Sequence, residues 1–174
     1  MRYIIKGGVF LIITTLIISL GIYLFFDKRL YLEKFFLFSS FIFVPLYALV
    51  AIYQIYTYSK KNKEVHLIKS FGIPFLTLFI GGFFSLWILF LFFNYIDIEA
   101  SHAIKNAIIK KWFEQNKKEM ILEYGSQAYE NRVRLIKKGN IFGLYSFFIF
   151  SFFLNLYYFI LSILIGLFFR KKIS

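Results

Sequence analysis

Apolar residues in this chain run in four long blocks, neither alternating with polar ones nor recurring at a helical spacing. Residues 7–26, 35–59, 70–96 and 139–169 contain no Lys, Arg, Asp or Glu. A helix rising about 1.5 Å per residue needs ~20 apolar residues to cross ~30 Å of hydrocarbon, and each block reaches that length. The first block holds 13 Val, Leu, Ile and Phe residues. Together they are worth on the order of −5 kcal/mol on an insertion scale, which outweighs the cost of Thr14, Thr15 and Ser19. Continuous blocks exclude the alternating strands of a membrane β-barrel. The pattern predicts an all-α, integral membrane, four-helix transmembrane bundle that forms a single domain over residues 1–174.

A cleaved leader is the rival reading of the first block, because Arg2 and Lys6 give it a basic start. Its apolar run is longer than the ~7–15 residues of a leader core, and no small-residue cleavage site follows it. It is therefore read as an uncleaved first span. Two connectors are short, and the third, residues 97–138, is long enough to hold structure of its own.

The pattern changes inside that long connector. On a helical wheel of Ser101–Lys118, Ile104, Ile108, Ile109, Trp112 and Phe113 fall on one half and Lys110, Lys111, Glu114, Lys117 and Lys118 on the other. Lys105 is the exception, and its stem can snorkel. An amphipathic interfacial helix is predicted, with Ile104, Ile108, Trp112 and Phe113 as its contact residues against the bilayer, the bundle rim or a partner.

Composition sharpens this picture. The chain is 60% hydrophobic and 17% charged, against ~45–50% and ~25% for a soluble domain. Its formal charge of +12 sits wholly in the connectors and termini. Basic residues flanking spans fit contact with anionic head groups of the lipid bilayer, and no separate basic stripe points to nucleic acid. The absence of cysteine excludes thiolate chemistry and disulfides. Four spans place both termini on one side, with Arg2, Lys6, Lys60, Lys61, Lys63, Lys69, Arg170, Lys171 and Lys172 in short segments. The other side has more basic residues, but six acids in the long connector offset them. The denser side is expected in the cytoplasm of a bacterial inner (plasma) membrane, with both termini there.

No ionisable group lies within the spans, which removes the usual components of proton relays and voltage sensors. Asn155, near the middle of the fourth block, is read as an interhelical hydrogen bond, and Gln54 and Asn94 as residues solvated near helix ends. Gly81 with Ser85, and Gly139 with Gly143, have the small-xxx-small spacing that lets helices approach closely. Packing within the chain is the first reading of these pairs and a homodimer the second. Pro45 is expected to kink the second helix. Glu99 and His102 share one helix face, but a carboxylate-bridged metal site needs further Glu and His partners, and His66 lies in another connector. No catalytic residue, metal or cofactor is assigned.

The stretch EVHLIKSFGIPFLTLFIGGFFSLWILFLFFNYIDIE, followed by a charged amphipathic connector and an apolar helix ending in RKK, resembles a family common in Bacteroidota, the domain of unknown function 4199. The resemblance implies a four-helix inner-membrane protein whose long connector lies outside the cytoplasm. It implies no reaction. The expected function is a non-enzymatic accessory or interaction subunit of an inner-membrane assembly, with a membrane-protein partner or a homodimer. The alternative is a small carrier or flippase-like protein for a lipid or neutral solute, with Asn155, Gln54 and tyrosines along its path.

Overall fold

The computed structural model describes residues 2–62, 65–140 and 142–169. Lys63 and the basic run Arg170, Lys171 and Lys172, used above to orient the chain, lie outside them. Four helices are long and apolar enough to cross a membrane: α1 (Arg2–Phe25), α2 (Lys28–Lys61), α3 (Leu67–Ile96) and α7 (Leu144–Phe169). Three shorter helices fold the long connector: α4 (Ile98–Ile108, continued as a π-helical turn at Ile109–Glu114), α5 (Lys117–Tyr124) and α6 (Ser126–Lys138). No β-strand occurs among the described residues. The chain is an all-α membrane bundle.

The first three spanning helices run past the apolar blocks into charged flanks, because backbone hydrogen bonding continues where the hydrocarbon stops. The fourth begins later than its block. Gly139 is extended and the Gly143 amide closes a turn on the Asn140 carbonyl at 2.9 Å, so α7 starts at Leu144. Gly139 and Gly143 therefore belong to a turn, and their spacing builds no helix face.

Proline positions are accommodated without breaking the spans. In α2 the segment Ser39–Phe43 widens into a π-helical turn, closed by the Val44 amide on the Ser39 carbonyl, immediately before Pro45. The Ser39 and Ser40 hydroxyls bond the Phe35 and Phe36 carbonyls at 2.7 and 3.1 Å. Hydroxyls and local π adjustments restore hydrogen bonds that a proline would otherwise remove in lipid. The adjustment expected at Pro45 thus takes the form of a widened turn. Pro74, inside α3, is buried.

Helix α3 packs against all three other spans, most extensively against α1 and α7. Small residues make this approach close. A methyl group added at Gly81 would come within 2.7 Å of Leu11 Cβ on α1. One added at Gly82 would collide with the Tyr158 ring on α7. Gly7 and Gly8 of α1 meet Thr77 and Ile80 of α3 in the same way, and Gly166 of α7 meets the Phe71 backbone at 3.0 Å. Around these contacts lies a core of Leu11, Tyr47, Ala51, Ile55, Leu78 and Tyr158.

Overpacking a tight contact costs about 1–3 kcal/mol. Gly81→Leu is therefore expected to lower the thermal stability of the detergent-solubilised protein by that amount or more. Gly21→Ala, where no neighbour lies within 4 Å, is expected to cause no loss. Thermal unfolding of both variants side by side checks the assignment of Gly81 to the α1–α3 contact.

Candidate functional site

The polar chemistry outside the hydrocarbon gathers where the connector meets the bundle. Asp97 follows directly after α3 and caps α4: its Oδ1 accepts the Ala100 amide at 2.8 Å, an arrangement that satisfies a free donor in the first turn. Its Oδ2 accepts the Lys28 ammonium at 2.7 Å and also the Tyr23 hydroxyl. One carboxylate thereby joins the ends of α1, α2 and α3 to the start of α4. The Lys28 ammonium beside it, then the Tyr23 hydroxyl and the Ala100 amide, hold this carboxyl down at about 2. The composition of the connector gave no sign of this role, because Asp97 looks like one acid among six.

Two further ties complete the joint. Asn94 donates to the Phe90 carbonyl at 2.8 Å and to the Phe142 carbonyl at 2.6 Å, while Asn140 donates to Asn94 Oδ1 at 2.9 Å. Asn94 is thus not merely solvated near a helix end; it fixes the turn that leads into α7. Lys105 donates to the carbonyls of Lys137 and Gly139, the latter at 2.7 Å, which binds the end of α6 beside α4. An ammonium at the carbonyl end of a helix also complements the helix dipole. Beneath the polar groups, Ile22, Tyr31, Phe93, Ala100 and Ile104 form a second apolar core.

The predicted contact stripe divides between two partners. Ile104 is 1% exposed in the second core, and Ile108 packs against it. Beyond that point the π-helical end of α4 keeps a tie to α2 through Lys111 and Glu33 and packs on α5 and α6, where the Tyr129 hydroxyl donates to the Phe113 carbonyl at 3.3 Å. Trp112 remains 63% exposed. With Ile108, Phe113, Met120, Tyr124 and Arg132 it lines an open groove of about 510 Å³. Of the contact residues inferred from one wheel, Ile104 therefore faces the bundle, Trp112 and Phe113 face the groove, and Ile108 touches both.

Inside the membrane, the polar residues serve packing. The Thr15 and Tyr47 hydroxyls share a hydrogen bond of 2.9 Å between α1 and α2, and the Tyr47 and Tyr158 rings stack at 5.7 Å. Ser85 donates to the Gly81 carbonyl at 2.6 Å. Gln54 is buried against Gly7 and is not solvated. Asn155 bonds the Ser151 carbonyl of its own helix at 2.8 Å, one turn back, so the bond expected to a neighbouring helix is not the one it makes. Its Oδ1 and the Ser151 hydroxyl are buried without a hydrogen-bond partner among the described residues. Both line a cleft of about 530 Å³ walled by Phe83, Phe148 and Phe152. Glu99 and His102 sit near the start of α4, and no group of three His, Asp or Glu residues suited to a metal occurs among the described residues.

A family model described as "Protein of unknown function (DUF4199)" matches residues 5–171. The chain belongs to that family. No curated protein and no solved structure matches it. The family match covers all four spans and the connector. The Asp97 joint and the Trp112 groove are therefore parts of the DUF4199 region itself.

The depressed Asp97 carboxyl fixes a sign. Its contribution to docking is complete above the ordinary carboxylate range and is lost as pH falls through about 2. Docking of α4 in this DUF4199 protein is therefore expected to be constant between about pH 5 and pH 8. Asp97→Ala removes both the cap, worth about 1 kcal/mol, and the Lys28 partner. Faster amide exchange over 98–108 with unchanged exchange in the spans is the expected outcome. Unchanged exchange over 98–108 would show that the joint does not depend on Asp97.

Proposed function

We propose that this membrane protein is a non-enzymatic accessory or interaction subunit of a bacterial inner-membrane assembly, with both termini in the cytoplasm. The observation that carries the reading is the closeness of the bundle interior. The intramembrane hydroxyls and amides lie among helix contacts so tight that a methyl group has no room at Gly7, Gly81 or Gly82. Such an interior favours a scaffold over a solute path, while the connector forms a folded platform fixed to one end of it.

A second reading, a small carrier or flippase-like protein for a lipid or neutral solute, is favoured by one feature. The cleft beside Ser151 and Asn155 offers two unpartnered polar atoms within apolar walls. Gln54, Tyr47 and Tyr158 do not extend that cleft; they are packed in the core.

Purification of the tagged chain in mild detergent, with identification of co-eluting proteins, separates the readings. A stoichiometric membrane-protein partner is the expected result. A chain that elutes alone with lipid held at the Ser151–Asn155 cleft would favour the carrier. Asn155→Leu is expected to change stability by about 1 kcal/mol or less, since its bond is local, and to leave cellular function intact. Loss of function in a stable, inserted variant would count for the carrier. For orientation, a reporter fused between α2 and α3 should behave as cytoplasmic and one at Gly125 as extracytoplasmic; the opposite pattern would reverse the topology.

A further inference from the structure

Helix α4 is tied to the bundle at two points, both on α2. Asp97 meets Lys28, and 14 residues later Lys111 Nζ meets Glu33 at 2.5 Å. Over about 21 Å of helix, at about 1.5 Å per residue, α4 thus runs from one residue of α2 to another only five positions along it. It therefore crosses the axis of α2 and does not run along it. Glu33 is also the deeper of the two partners, by about 7 Å, and lies two residues before the apolar block that begins at Phe35. The far end of α4 is consequently tied close to where that apolar block begins. That end carries Trp112.

Charge along the elbow is predominantly basic, although Glu119 and Glu123 share the groove with Trp112. Between residues 110 and 118, Lys110, Lys111, Lys117 and Lys118 accompany a single acid, Glu114. Lys111 is engaged by Glu33, and Lys117 lies over the Tyr129 ring at 5.8 Å. Lys110 and Lys118 are exposed. An exposed Trp on an elbow that also carries exposed lysines has the chemistry of an interfacial anchor: the indole tolerates the boundary, and the ammonium groups meet phosphates.

We propose that the elbow Ile109–Lys118 is a docking site for anionic phospholipid head groups of the leaflet at this end of the bundle, with Trp112 seated in the boundary layer and Lys110 and Lys118 on head-group phosphates. The site does not depend on whether the protein serves an assembly or carries a solute.

The chain contains two tryptophans, so Trp87→Phe leaves Trp112 as the sole emitter. The full chain carrying this substitution is reconstituted in vesicles of phosphatidylcholine, or of the same lipid with about 30% phosphatidylglycerol. Quenching of Trp112 by acrylamide is then measured. Phosphatidylglycerol should shift the emission to the blue and shield Trp112. Each lysine near an anionic surface contributes about a factor of five, so Lys110→Gln with Lys118→Gln should lower the docked-to-free ratio about 30-fold. Salt at about 1 M, with a screening length of about 3 Å, should do the same to the chain with both lysines intact. That arm holds even if the double variant folds poorly. Equal quenching in the two lipids overturns the proposal. So does shielding that appears in native membranes and not in phosphatidylglycerol vesicles, which would assign the elbow to a protein partner.

Discussion

Lipid gives one apolar side chain no reason to prefer another, and the architecture of this protein depends on that constraint. Helices that cannot associate by excluding water must associate by close packing and by the few hydrogen bonds available. Helix α3 meets the constraint with glycine on two adjacent faces, Gly81 toward α1 and Gly82 toward α7. The bulky partners are supplied by Leu11 and Tyr158. Because Tyr158 also stacks on Tyr47, and Tyr47 bonds Thr15, the same few residues link all four spans.

Among the described residues, the backbone departs from regular α-helix in three π-helical turns. Phe92–Ile96, at the membrane end of α3, is π-helical like Ser39–Phe43 and Ile109–Glu114. In each case the wider turn is closed by a backbone bond across five residues: Val44 to Ser39, Asp97 to Phe92, Gln115 to Lys110. No donor is lost. The turn at the end of α3 delivers Asp97 to Lys28 and Tyr23, and the turn after Ile108 brings α4 onto α5 and α6.

Polar groups are thus divided by depth. Several within the spans bond their own helix or a neighbour, as the Ser85 and Thr15 hydroxyls and the Asn155 amide nitrogen do. Those at the Asp97 end hold the connector in place, and the exposed apolar and basic residues lie beyond that joint at the elbow around Trp112. The Lys111–Glu33 pair, half-exposed on both sides, contributes little energy. It marks where the far end of α4 meets α2.

The sequence by itself determined the four spans, the membrane setting, the amphipathic character of α4 and the family likeness, because each depends on a local property: block length, charge exclusion or periodicity. It also marked Gly81 and Ser85, since small residues at that spacing have few uses in lipid. Only the tertiary structure decided what those residues touch. Gly82 and Gly7 matter as much as Gly81, yet their partners, Tyr158 and Gln54, lie 76 and 47 positions away in the chain. Gly139 and Gly143 have the same spacing as Gly81 and Ser85 but fall in a turn. Asn155 appeared positioned to reach another helix, although a carbonyl one turn back was nearer. Asp97, ordinary by composition, became the joint because three chain segments end beside it. A pattern along the chain reports how a residue relates to its solvent, whereas a contact between distant segments exists only once the helices have taken their places.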